Sequence, residues 1–354
     1  MFLRSMGAVT PALVAAAIGL TACGGDSATN TSGGGSAGAA SKPVKVTEAG
    51  FKVMSMAPIY LAQDKGFFAK NGLDFTFTEI SSGKLGVAAL LSGSAQFVDL
   101  GVDDVVNLHN QGKGITLFYN LERPLTMDFV MRKQAMQKQG ITADSPLPDK
   151  FKALKGLNIG ITAPGAPTDL YPRYFMKQVG LDPAKDANFV PIGDAATLVG
   201  ALKAGKIDGF MLSPPNPYVA QQQGIGSVII KGRDSLPVFK TYDFTSVAVR
   251  DDWAKSHPDL VKAYSRSVSD ATKWMLANRD EALQVLHDKH FSDTDMDTFK
   301  LSFNLFLESV NPTGEMSPDA VGNQIDVLSS LGALKDAKGI PTTDLMTTQY
   351  GAAG

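Results

Sequence analysis

The chain has 354 residues, with 33 Lys and Arg against 35 Asp and Glu and a formal net charge of −2. Hydrophobic residues make up 44% and charged residues 19%, the balance of an ordinary globular protein. No basic stripe stands out, which argues against a nucleic-acid partner, and beyond residue 22 no apolar run approaches the ~18 residues that a membrane-spanning helix requires.

At the N-terminus, Arg4 precedes a largely apolar, alanine-rich run from Met6 to Leu20. At ~1.5 Å per residue this run reaches only part way across a ~30 Å hydrocarbon core, so residues 1–22 read as a signal peptide. The run closes on Leu20-Thr21-Ala22-Cys23, which resembles the bacterial lipoprotein box. That resemblance implies cleavage before Cys23 and lipidation of its thiol; an ordinary signal with an incidental cysteine is the alternative. Residues 24–43 contain six glycines, four serines and no large apolar side chain. They cannot bury enough surface to order themselves, and residues 23–43 read as a flexible tether with a reach of about 25 Å. Cys23 is the only cysteine, as suits an oxidising compartment outside the cytoplasm.

The body from Val44 onward, about 310 residues, suits two domains. "VKVTEA" reads as a strand and "PIYLAQDKGFFAKN" as one helix opened by Pro58 and closed by Gly72. "LDFTFTEI", "AQFVDLG" and "ITLFYN" read as strands separated by the helices "GKLGVAALLSG" and "DDVVNLHNQG". The alternation then recurs in "LNIGIT", "TDLYPRYFMKQVG", "ANFVPI", "DAATLVGALKAG", "IDGFMLS" and "PYVAQQQG". Residues 88–101 match 199–213 as helix, glycine turn and strand, and "NGLDFTF" falls like "VGLDPAK". From Phe244 the chain offers one more strand, "FTSVAVRDD", and then four helical segments. The order predicts two parallel-sheet α/β lobes joined by a hinge, with crossings near Leu121–Phe129 and Leu236–Phe244. One lobe takes residues 44–123 and 244–354, with the helical tail; the other takes residues 124–243. A cleft between such lobes is a natural ligand site.

At this point a family resemblance enters. "APIYLAQDKGFFAKNGLDFTF", residues 57–77, resembles the opening helix and second strand of the ABC-importer solute-binding proteins for alkanesulfonates, taurine, nitrate and thiamine-pyrimidine precursors. "LLSGSAQFVDLG", "LKGLNIGITAPGAPTDLY" and "ALKAGKIDGFMLSPPNPYVA" are similar to later steps of the same family. The resemblance implies a two-lobed periplasmic-binding-protein fold of type II. It also implies a monomeric receptor tethered on the extracytoplasmic face of the membrane, delivering a small molecule to a permease and its ATPase, without a cofactor. An organosulfonate-type ligand is favoured, with a thiamine-pyrimidine precursor or an aromatic carboxylate as alternatives. Many relatives carry an acidic residue where this chain has Ser213.

In open parallel sheets, ligands lie outside the carboxyl ends of the strands. The candidates there are Phe51, Ser55, Ser81, Ser82, Lys84, Val102, Asp103 and Asn120 from one lobe. The other lobe supplies Gly165, Ala166, Thr168, Asp169, Gly193, Ser213 and Asn216. Helix starts favour acceptor groups, but Asp103, Asp104, Asp169 and Asp194 already place carboxylates at three of them. "SSGK", residues 81–84, is the start with hydroxyls and a cation but no acid of its own, and is therefore the expected seat of an anionic end.

No enzymatic set is visible. The four histidines are scattered, no G-x-S-x-G occurs, and neither dinucleotide nor phosphate-loop spacing is met around Gly160 and Gly165. His287 and His290 at i, i+3 suit a helix end better than a metal. "DTDMD", residues 293–297, lacks the glycine and glutamate of a calcium loop, with Thr298 and Asn304 in those places, so Ser292 or Asp293 is expected as a helix cap. Trp253 and Trp274 are expected in the core. The rival classes are a pyrimidine-synthesising enzyme on the same scaffold, which needs a cysteine-rich iron site, and a module that signals ligand occupancy to a membrane sensor.

Overall fold

The computed structural model describes residues 42–351 except 335 and 338, and not the side chain of 195. The signal segment, Cys23 and nearly all of the tether lie outside the described residues. The first lobe begins with β1 (Val44–Gly50), α1 (Ala57–Asp64), α2 (Phe67–Lys70), β2 (Leu73–Glu79), α3 (Gly83–Ser92), β3 (Phe97–Leu100), α4 (Val102–Asn110) and β4 (Ile115–Glu122). The second contains β5 (Asp128–Arg132), α5 (Lys133–Gln139), α6 (Leu147–Lys152), β6 (Asn158–Ile161), α7 (Pro167–Gln178), β7 (Asn188–Pro191), α8 (Ala195–Lys203), β8 (Gly209–Leu212), α9 (Asn216–Gln222), β9 (Gly226–Lys231) and α10 (Gly232–Ser235). The chain then returns to the first sheet as β10 (Thr245–Arg250). It ends in α11 (Asp251–Ser256), α12 (Pro258–Ala277), α13 (Arg279–His290), α14 (Met296–Leu307) and α15 (Pro318–Ser330).

The strand orders are β2-β1-β3-β10-β4 and β7-β6-β8-β5-β9. They are the same arrangement used twice, as the matched segments imply. Gly93 and Gly205 stand at equivalent steps with φ of 77° and 70°, a left-handed conformation that glycine adopts without steric cost. The sheets are mixed and not wholly parallel as expected. In the first, β10 runs antiparallel to β3 and β4, and in the second β5 runs antiparallel to β8 and β9. Each of these strands has just arrived from the other sheet, so no helical crossover of its own lobe imposes a parallel direction on it. Strands β5 and β9 carry no clear period in the sequence. The single helix expected over 58–71 is two, because Gly66 at φ 75° breaks it.

Both faces of the first sheet are covered. On one, Val46, Phe97 and Val247 pack against Val261, Tyr264, Val268, Ala271 and Met275, which recur every three or four residues along α12. On the other, Ala49, Val98 and Ala248 meet Leu90, Val105, Val106, Val321 and Ile325 from α3, α4 and α15. Each fully buried large apolar side chain contributes roughly 1.5–3 kcal/mol. Trp253 and Trp274 pack half-buried against the first of these cores, as expected. Helix α15 also reaches the second lobe: Val327 belongs to the cluster of Tyr171, Phe175 and Tyr242, and Lys177 donates to the Ser330 carbonyl at 2.7 Å.

Candidate functional site

Two of the helix starts marked by sequence, one from each lobe, feed one buried apolar cluster. Val102 in the first turn of α4 and Leu170 in α7 share one buried apolar cluster. Their chain neighbours bring chemistry to the same place. Asp103 is half-buried and close enough to Tyr171 and Tyr242 to oppose their ionisation, and the Tyr242 hydroxyl donates to that of Tyr171 at 3.2 Å.

The α4 start is built around Gly101. Asp104 accepts the Gly101 N–H, and Asp103 accepts its own N–H and that of Asp104. A Cβ on Gly101 would stand 2.2 Å from Asp103 Oδ1, so only glycine lets this carboxyl fold back. Burial raises the Asp103 carboxyl above its ordinary range. Burial and the neighbouring Asp103 push Asp104 up to about 7.

Beneath them lie three acids that the sequence does not mark as site residues. Glu48 on β1 is fully buried, accepts the Tyr264 hydroxyl at 2.7 Å through Oε2, and leaves Oε1 buried without a hydrogen-bond partner. Burial, with a smaller contribution from Asp99, pushes it up to about 8. Asp99 on β3 is raised to about 8 by burial, then by Glu122 and Asp104. Glu122 at the end of β4 accepts the hydroxyls of Thr126 and Thr245, both at 2.8 Å, and burial takes it to about 7. The available signal was an acid interrupting an apolar strand.

The other candidates divide. Ser55 is buried, Phe51, Ser82, Ala166, Ser213 and Asn216 are half-buried, and Ser81, Lys84, Gly165 and Gly193 are exposed. The start at residues 81–84 has no acid of its own, but the Asp104 carboxyl lies against the first turn of α3, with Oδ2 3.0 Å from where a Cβ on Gly83 would stand. Asn120 is turned into the protein interior. It is fully buried and donates to the Glu122 and Thr245 carbonyls at 3.0 and 3.2 Å, while its oxygen accepts Asn311 at 3.0 Å. The Val102 side chain is core. Asp169 accepts the Gly165 N–H at 2.9 Å and Arg173 Nε at 2.5 Å, and Thr168 Oγ1 accepts the Thr162 N–H at 3.0 Å, so both hold their own loop. Asp194 caps α8 through the Thr197 N–H at 2.8 Å.

His290 Nε2 lies 2.8 Å from Asp64 and its ring stacks on Tyr60, while His287 Nε2 is bonded to the Thr294 carbonyl at 2.9 Å. Asp295, not Ser292 or Asp293, caps α14. Among the described residues no group of three His, Cys, Asp or Glu is placed to hold a metal, and no helix is long and apolar enough to cross a membrane.

The sequence is 28% identical over 316 residues to the nitrate/nitrite binding protein NrtA of Synechococcus elongatus, covering 78% of this chain and 68% of that protein. The chain spans between 54% and 68% of the length of the nitrate/nitrite-binding relatives it matches. The periplasmic nitrate-binding protein NrtA from Synechocystis has a similar structure, with a TM-score of 0.68 at 17% identity and 87% of each chain covered. The periplasmic aliphatic sulphonate binding protein SsuA from Escherichia coli gives a TM-score of 0.67 at 14% identity, covering 87% of this chain and 99% of that one. These likenesses bear out the periplasmic-binding-protein fold, and the resemblance carried by residues 57–77 is borne out with it. A model of the NMT1-like family matches residues 39–287, and the chain belongs to that family.

Proposed function

We propose that this chain is the solute-binding component of an ABC importer, held on the extracytoplasmic face of the membrane by a lipid on Cys23. It captures a small polar organic molecule between lobes 44–123 with 244–354 and 124–243, and hands it as a monomer to the permease and its ATPase. The observation that carries the reading is a pair of sheets of identical strand order whose helices α4 and α7 contribute to one buried cluster. The relatives named for nitrate, nitrite and sulphonate support the class of protein. The organosulfonate preference rests on Ser82 and Lys84. The test is a thermal-shift panel of sulfonates, nitrate, aromatic carboxylates and amino-pyrimidines. A ligand at 100 times its Kd stabilises by about 2.7 kcal/mol, a shift of several degrees for a body of this size. Turnover of a bound compound would replace the receptor by an enzyme. For the anchor, Cys23→Ser is expected to leave the membrane fraction; a variant that still pellets with membranes removes the lipid from the proposal.

A further inference from the structure

Two helices of the tail each lie across both lobes, and they do so on opposite faces of the two sheets. Helix α14 sets Phe299, Phe303 and Phe306, at i, i+4 and i+7, into the first-lobe core with Phe97 and Val247. Leu305, about 100° round the helix from Phe306, packs instead against the second-lobe cluster of Val130, Phe210 and Tyr218. Helix α15 repeats the device. Val321, Ile325 and Leu328, again at i, i+4 and i+7, join Val98 and Ala248, while Val327 packs with Tyr171, Phe175 and Tyr242. Phe97 and Val98 are neighbours in β3 and so face opposite ways. The same holds in β5 for Phe129, in the cluster of Val327, and Val130, in that of Leu305. One helix therefore bridges the lobes on each face. Polar contacts close both bridges. Arg233 in α10, its side chain only 14% exposed, donates to the Leu305 carbonyl at 2.8 Å and pairs with Glu308 at 3.0 Å, at the end of α14. Along α15, Lys177 donates to the Ser330 carbonyl and Asn323 to the Thr241 carbonyl, both at 2.7 Å. Two strand crossings alone leave lobes free to turn about them. With a bridge on each face, a turn that relieves one bridge pulls on the other. Detaching either strips apolar side chains and breaks its hydrogen bonds.

We propose that α14 and α15 are paired braces that hold the lobes in the described orientation before any solute arrives. Arg233 and Leu305 are the positioning residues on one face, Lys177 and Val327 on the other. This rests on the binding-protein reading and deepens it. A braced pair of lobes presents a largely preformed cleft, so a solute does not have to select a rare conformer, which weakens apparent affinity in proportion to its rarity. The helical tail then does more than complete the first lobe: it sets how the two halves of the cleft face one another.

The experiment needs no solute, so its outcome is separate from the thermal-shift panel that tests the receptor reading. In the Cys23→Ser chain, which has no other thiol, Lys113→Cys in the first lobe and Lys203→Cys in the second, both exposed, carry nitroxide labels for pulsed electron-spin distance measurement. The parent is expected to give one narrow distance distribution at the separation set by the structure. Leu305→Ser and Arg233→Ala on one face, and Val327→Ser on the other, are each expected to add a second, displaced population with the circular dichroism of the folded protein retained. Arg233 also acts on the buried Glu122 and Asp128, so Leu305→Ser, which removes no charge, decides for that face if Arg233→Ala fails to fold. Phe97→Leu, a first-lobe core substitution on β3, is expected to lower the denaturant midpoint and leave the distances unchanged. If Phe97→Leu spreads the distances as much as Leu305→Ser does, general weakening explains the effect and the inference falls. A broad or multiple distribution in the parent overturns it, and so does the parent's single distribution in folded Leu305→Ser and Val327→Ser proteins.

Discussion

The Tyr264 hydroxyl donates a 2.7 Å hydrogen bond to Glu48 Oε2, joining residues 216 positions apart in the chain. It is a polar link within a largely apolar contact between α12 and the first sheet. Tyr264→Phe keeps the ring packing against Phe97 and Phe68 but leaves both Glu48 oxygens without a partner. A loss of about 1–3 kcal/mol is expected in urea denaturation, the usual cost of an orphaned buried polar group. Removing both partners in Tyr264→Phe with Glu48→Leu should recover part of that loss. Equal or greater damage in the double variant would mean that the bond is not what holds the pair.

The raised acids fix a direction for stability against pH. Glu48 keeps its proton in the folded protein up to about 8 but loses it near 4.5 when unfolded. Between those values the native state binds more protons, so its contribution is fully present below about pH 4.5 and is lost as pH rises toward 8. Asp99, raised to about 8 beside Glu122 and Asp104, acts with the same sign. Asp194 and Asp252 are shifted downward and so act below this window. The thermal midpoint is therefore expected to fall from pH 5.5 to pH 8, and Glu48→Gln to flatten the slope. A midpoint that rises over this interval would contradict the burial of protonated acids.

How these acids escaped the sequence is instructive. Period two places Glu48 on the face of Val46 and Asp99 on the face of Phe97, and that much is readable from "VKVTEA" and "FVDL". Nothing in either strand tells that α12, more than 150 residues later, covers that face. Asn120 was legible as a polar residue at a strand end, but its partners Thr245 and Asn311 arrive from distant segments. The elements with local signals were legible: the Gly93 and Gly205 turns, the helical tail, and the starts of α4 and α7. Strands β5 and β9 were not, because both faces of the second sheet are buried and no alternation survives.

The hinge offers a separate measurement. Arg123 in the outgoing crossing donates through Nε to Asp243 Oδ1 at 2.5 Å, and the Ser317 N–H at the start of α15 donates to Oδ2 at 2.7 Å. Gln324, about two turns further along α15, donates to the Asp243 carbonyl. One buried carboxylate thus ties both crossings to the helix that spans the lobes. Arg123→Ala removes the only ion-pair partner of Asp243 among the described residues and is expected to cost about 2–3 kcal/mol, below the 3–5 of a wholly buried pair because Arg123 is partly exposed. Asp243→Asn retains an acceptor for Ser317 and should cost less than Asp243→Ala. If Arg123→Ala unfolds at the parent's denaturant midpoint, the crossings are held by packing alone.

Asp104 gives the sharpest test of how the first lobe treats anions. Its carboxyl lies against the first turn of α3, whose cap residue Ser82 makes no side-chain hydrogen bond to the helix. The amides there are the kind that draw an anion, and Asp104 occupies that field from α4. Asp104→Asn keeps an acceptor for the Gly101 N–H while removing the charge, so the fold should survive and the helix start should open. Methanesulfonate is expected to bind the variant weakly, with an affinity a few-fold or more above the parent's, in line with the ~0.3–1 kcal/mol of a charge at a helix end. Lys84→Ala should weaken methanesulfonate binding by the parent and abolish the gain in the Asp104→Asn background. Isothermal titration of the four proteins with methanesulfonate reads both effects. A variant Asp104→Asn that remains indifferent to methanesulfonate would mean that Ser82, Gly83 and Lys84 do not form an anion cradle even when the acid is gone.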